Sequence, residues 1–149
     1  MRVLLLLVHG LSAVLLLGAL THQAIALWWP APRGSAAFAR ALRAVHPERY
    51  AKAVVVLFVI TAFLGGCLYP PFRVLVRAHY LDAHAPWATW LFEMKEHAAA
   101  VGLAVLPSYW IAWRGPGPPA SQRSLTTFLT VIAWWNFVVG HLVNNARGL

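Results

Sequence analysis

Residues 3–32, 53–72 and 124–146 carry no charged side chain, and each stretch reaches the ~20 apolar residues a helix needs to cross a bilayer. A fourth charge-free stretch, residues 98–113, is short of that length unless its helix extends back through Glu93, Lys95, Glu96 and His97 toward Trp87. With that extension the pattern predicts an all-α fold: one domain over residues 1–149, a bundle of four transmembrane helices with spans at about 3–29, 48–69, 87–113 and 125–145. Proline and glycine place the ends. Pro30 and Pro32 stop the first helix, Pro47 starts the second, Pro70 and Pro71 end it, and the run from Gly115 to Pro119 separates the third from the fourth.

Between the first two spans Ser35 can cap a short helix with Phe38, Leu42 and Val45 on one stripe and Arg40 and Arg43 beside it. That is the pattern of an amphipathic helix lying at the membrane interface. The segment after Pro71, carrying Arg73, Arg77, His79, Tyr80, Asp82 and His84, reads as a polar connector with some apolar surface.

Composition agrees with the pattern. The chain is 60% hydrophobic and 11% charged, against ~25% charged in soluble domains. Its +8 formal charge comes from basic residues that flank apolar spans, where they set orientation and attract anionic lipid, so nucleic acid is not an expected partner. Arg33, Arg40, Arg43, Arg49, Lys52, Arg114 and Arg123 outnumber Arg2, Arg73, Arg77 and Arg147 on the other face. This bias predicts a bacterial inner-membrane protein with both termini on the periplasmic side. Arg2, the leucines after it and Ala24-Ile25-Ala26 have the outline of a cleavable signal peptide, but His9, His22, Trp28, Trp29 and the length of the apolar run favour a retained helix. Cys67 is the sole cysteine, which excludes an internal disulfide and any cysteine-based metal cluster.

Candidate chemistry rests on polar groups inside spans, where a charge costs roughly 2.5–3.5 kcal/mol on insertion scales. At 1.5 Å per residue His9, His97 and His141 fall in one half of the bilayer, so these three are the candidate cofactor ligands. Glu93, Glu96 and His97 lie within an arc of about 100° on the third helix, continued by Ala100 and Ala104, while Lys95 points away. One reading is a single b-type haem held by two histidines, His9 and His97 meeting the depth requirement. His22 is ~140° around the helix from His9 and belongs to the opposite side. A second reading places a divalent metal between Glu93 or Glu96 and the histidines; a third makes Glu93 and Glu96 proton relays or part of a quinone site. The structural alternative is that these groups hydrogen-bond across helices or reach headgroup water.

A histidine early in the first helix followed by small residues (His9, Gly10, Ala13, Gly18), and an aromatic-rich start of helix three leading to a lysine (Tyr80, Leu91, Phe92, Lys95), resemble the small four-helix membrane proteins of the copper-resistance D type and the HemJ-type protoporphyrinogen oxidases. The likeness covers two of the four helices and does not extend to the end of helix four. It implies a haem-containing site and singles out His9 and Lys95. The resulting expectation is a small integral-membrane redox-type protein holding a b-type haem or a metal, acting in electron transfer or a respiratory chain beside other membrane subunits or quinone. The rival expectation is a non-catalytic accessory or assembly subunit whose polar residues serve helix packing. No reaction is assigned by the sequence.

Overall fold

The computed structural model describes residues 1–29, 47–115 and 118–149, and every regular element among them is helical. Four long helices form the molecule: α1 (Arg2–Trp28), α2 (Pro47–Phe72), α3 (Pro86–Arg114) and α4 (Pro119–Ala146). Their 26 to 29 residues give lengths of about 40 Å, more than the ~30 Å hydrocarbon core. Arg2–Trp28, Pro47–His84 and Pro119–Ala146 are long and apolar enough to cross a membrane. The third long helix, α3, matches them in length but is more polar, carrying Glu93, Lys95, Glu96 and Arg114. Leu4, Leu7, Leu11, Phe63, Ile111 and Val131 are among many large apolar side chains on the outside, the inverse of a water-soluble surface. Such a surface points to a lipid bilayer. The expected interfacial helix, with Ser35, Phe38, Arg40, Leu42, Arg43 and Val45, lies outside the described residues, as does His46.

The helices meet along seams with alternating spacings of three and four. On α2 the inward residues are Ala51, Val54, Phe58, Thr61, Gly65, Leu68 and Phe72; on α3 they are Ala88, Phe92, Lys95, Ala99, Gly102, Leu106, Tyr109 and Trp113. This is the period of left-handed bundles. Two apolar clusters form where the seams meet. Leu16, Leu20, Val54, Phe58, Leu106, Tyr109, Leu129 and Ile132 belong to the first, and Phe72, Val76, Leu81, Ala88, Phe92, Val139 and Val143 to the second. Along α2, α3 and α4 a more polar layer falls between them: Thr61 and Gly65, Lys95, and Asn136 with Gly140.

The end of the second helix corrects the sequence expectation. Pro70 and Pro71 lie inside α2, and the chain continues as a π-helix, Arg73–Leu81, then a single helical turn, Asp82–His84. Two prolines remove two backbone donors and would normally stop a helix. Here the turns that follow switch to i→i+5 spacing and bury Val76 and Leu81 in the second cluster, so packing outweighs the local preference. The segment read as a polar connector is therefore helical, and Arg77 ties it to α3: its Nη2 lies 2.7 Å from Glu93 Oε1 and its Nε 3.5 Å from Asp82 Oδ1. Thr89 Oγ1 donates to Asp82 Oδ1 at 2.8 Å. The fourth helix starts at Pro119, six residues before the expected Leu125, because Pro119 suits the first helical turn.

A buried polar pair ties three helices near the other end. Tyr109 on α3 donates its hydroxyl to Gln23 Oε1 on α1 at 2.6 Å, and Gln23 Nε2 donates to the Pro47 carbonyl of α2 at 3.0 Å. Both side chains are 0% exposed. Tyr109→Phe leaves the Gln23 oxygen buried and without its donor, and is expected to cost about 1–3 kcal/mol. Thermal unfolding in detergent micelles measures this; a melting temperature equal to that of the unmodified protein would remove Gln23 from the account of stability.

Candidate functional site

The polar layer opens into a cavity of about 310 Å³ lined from all four helices. Helix α1 contributes His9 and Gly10, α2 Gly65 and Tyr69, α3 Phe92, Lys95 and Glu96, and α4 Asn136, Gly140, His141 and Asn144. The volume is at the lower end of the range for small-molecule sites, and four glycines contribute no side chain to the wall.

His9 is held by an arrangement that fixes its chemistry. Its Nδ1 lies 3.1 Å from the Thr61 carbonyl oxygen, which can only accept, so Nδ1 carries the proton and donates. In the neutral imidazole Nε2 then bears the lone pair, and it bonds no described residue. Gly65 makes this contact possible. It sits one turn after Thr61, and a Cβ there would come within 3.3 Å of His9 Cε1. Ser12 Oγ donates to the His9 carbonyl at 2.8 Å and accepts from Thr61 Oγ1 at 3.1 Å, fastening α1 to α2 beside the ring. A backbone carbonyl on one ring nitrogen and a free lone pair on the other is how proteins orient an imidazole ligand.

Lys95 corrects the sequence reading, which turned it away from the site. Of the stripe Glu93, Glu96, His97, Ala100 and Ala104, the last three are exposed and Glu96 lines the cavity, while the buried face is the seam from Ala88 to Trp113, which contains Lys95. The lysine side chain is 16% exposed, its Nζ lies 2.6 Å from Glu96 Oε1, and it rests over the Phe92 ring at 4.9 Å from the centroid. Pairing with Glu96 offsets the cost of placing a charge in this layer. Its long stem also fills the space opposite Gly140, where a Cβ would meet Lys95 Cδ at 3.9 Å.

The expected trio of histidines is divided. His9 and His141 line the cavity together, as their depths predicted, although His141 is largely exposed. His97 is exposed and lines an adjoining cavity of about 380 Å³ with Gly66, Tyr69, Phe92, Glu93 and Glu96. Its Nδ1 donates to the Glu93 carbonyl at 2.7 Å. Of the two carboxylates, Glu96 borders both cavities, whereas Glu93 borders the outer one and is paired with Arg77. Among the described residues no three His, Cys, Asp or Glu side chains converge as a metal-holding group. His22 stacks on Tyr50 at 5.0 Å, far along α1 from His9. His79 and His84 are exposed, as expected.

Asn136 donates from Nδ2 to the Ile132 carbonyl of its own helix at 2.9 Å while lining the cavity. Trp134 and Trp135 are exposed, Trp134 donating to Thr21 Oγ1 at 3.0 Å. A Cβ at Gly10, Gly18 or Gly66 would meet nothing within 4 Å. Thr61, Tyr69 and Gln23 were missed; for Thr61 and Gln23 the available signal was the seam spacing, which joins Thr61 to Phe58 and Gly65 and Gln23 to Leu16 and Leu20. Comparison with protein-family models, curated proteins and solved structures finds no match.

Proposed function

We propose that the chain is a small integral-membrane protein of redox type in which His9 would hold a b-type haem at the inner cavity. The observation that supports this most is the His9 Nδ1 bond to the Thr61 carbonyl, which leaves Nε2 free as a lone-pair donor on an imidazole that lines the cavity. The sequence likeness to the HemJ and copper-resistance D types leads to the same pair of residues, His9 and Lys95, and both line that cavity. Phe92 and Phe137 supply apolar wall for a macrocycle, while Lys95 and Asn144 supply donors for its acidic substituents. When bound, haem supplies one-electron chemistry; the chain orients it, shields it in an apolar bundle and sets the charge around it through the Lys95–Glu96 pair.

The test is an absorption spectrum of the protein purified from haem-replete membranes, with a pyridine haemochrome assay to identify the porphyrin. A Soret band with b-type pyridine spectrum is expected. The rival reading, an accessory subunit whose polar residues only pack helices, predicts a colourless protein, and a colourless protein overturns the haem assignment.

In this proposal α3 is the fourth span, its polar turn facing the cavity, and the protein sits in a bacterial inner membrane with both termini periplasmic. A periplasm-dependent reporter such as alkaline phosphatase should be active when fused after Leu149 and inactive when fused after Gly115. The opposite pattern would reverse the orientation, and activity at both positions would mean that α4 does not cross.

A further inference from the structure

We infer that the outer cavity, between α2 and α3, binds the headgroup of a lipid-soluble hydroquinone. Its wall is aromatic: Tyr69 and Phe92 lie with ring planes 13° apart and centroids 6.0 Å apart, and Phe92 is backed by Phe72 at 4.3 Å, so the half-buried Tyr69 is the ring that a planar ligand meets. Gly66 leaves the α2 side open, a Cβ there meeting nothing within 4 Å. Phe63 and Met94 on the flanking helix surfaces are exposed, so a ligand dissolved in the hydrocarbon reaches the site without passing through water.

Beside the Tyr69 hydroxyl, which can donate or accept, the cavity offers two groups that accept, and these favour the reduced form. His97 spends Nδ1–H on the Glu93 carbonyl, so in its neutral form Nε2 is a lone-pair acceptor. Glu96 gives Oε1 to Lys95, and its second oxygen bonds no described residue. Glu93 is paired with Arg77. Two acceptors, the imidazole and the free Glu96 oxygen, thus border a cavity sized for one or two rings. A hydroquinone brings two hydroxyl donors, whereas the oxidised quinone brings only carbonyl acceptors and leaves both protein groups without a partner. Sites built to accept a hydroxyl reject analogues that lack it. The outer cavity shares Tyr69, Phe92 and Glu96 with the inner one, which places a bound hydroquinone beside whatever the inner cavity holds. The binding itself does not depend on haem being there.

The experiment is anaerobic calorimetric titration of the full-length protein, in nanodiscs of quinone-free synthetic phospholipid, with a decyl-chain benzohydroquinone, empty nanodiscs correcting for partition. Saturable binding is expected, with the oxidised quinone at least about ten-fold weaker. His97→Ala, which removes one acceptor from an exposed position, and Gly66→Leu, which fills the cavity from a position with open space around it, should each weaken binding about ten-fold or more. His22→Ala, at a ring stacked on Tyr50 away from both cavities, should bind as the unmodified protein does. Partition alone, equal affinity for the two redox forms, or unchanged affinity in both His97→Ala and Gly66→Leu would overturn the inference. The Soret band of the same samples reports on the haem independently, so failure of one assignment is distinguishable from failure of the other.

Discussion

His9→Ala should yield a protein that inserts into the membrane normally and carries no Soret band. Alanine is the better helix former and is less costly in lipid than histidine, so insertion gains from the change. The Thr61 carbonyl loses the imidazole donor but keeps its place in the ladder of α2. What disappears is the lone-pair nitrogen that the Thr61 contact orients at the inner cavity, and disturbing even a ligand's supporting hydrogen bond typically lowers affinity 10–100-fold. Gly65→Ala tests that supporting geometry, because the new methyl would press on His9 Cε1 at 3.3 Å; a reduced and spectrally shifted haem content is expected. His22→Ala and His97→Ala should leave the spectrum in place, the first stacked on Tyr50 at a distance and the second in the outer cavity. A full Soret band in His9→Ala would move the ligand elsewhere, and loss in His97→Ala alone would restore the outer histidine as the ligand.

What could be read in advance follows from how far each signal reaches along the chain. Charge-free length is a property of twenty residues at once, and it located the long helices to within a few residues except at the ends where proline decides. There the local rule failed, since Pro70 and Pro71 penalise a helix that the burial of Val76 and Leu81 nevertheless carries forward. Depth along a helix was also legible, because rise per residue is fixed, and it brought His9 and His141 to one cavity. Facing was not read correctly. The polar arc of α3 leaves Lys95 out, yet the seam Ala88, Phe92, Lys95, Ala99, Gly102, Leu106, Tyr109 is written in the sequence at strict three and four spacing and points Lys95 inward. The hydrogen bond from His9 to the Thr61 carbonyl depends on a backbone approach between two helices distant in sequence, and no residue pattern announces it.

Gly102→Val is expected to lower stability more than any other single glycine replacement in the described bundle. Gly102 sits on the α3 seam where α2 and α4 converge, and a Cβ built there overlaps Phe58 Cζ and comes within 3.2 Å of Ile132 Cγ2. Phe58 and Ile132 are themselves 5% and 7% exposed and packed in the first apolar cluster, so neither ring nor methyl can retreat without opening the core. Overpacking of this kind costs about 1–3 kcal/mol, and a β-branched side chain, locked at χ1 in a helix, belongs at the upper end. Small residues at such crossings are how membrane helices gain close van der Waals contact, there being little hydrophobic drive between surfaces already in lipid. Gly18→Ala supplies the contrast: its Cβ meets nothing within 4 Å, and exchanging glycine for alanine in a helix favours folding by about 0.8–1.0 kcal/mol. Thermal denaturation in micelles should therefore move in opposite directions for the two variants. If Gly102→Val melts with the unmodified protein, the crossing of α2, α3 and α4 is looser than these distances imply, and the cavity layer one and a half to two turns along α3 loses the rigid floor on which its geometry rests.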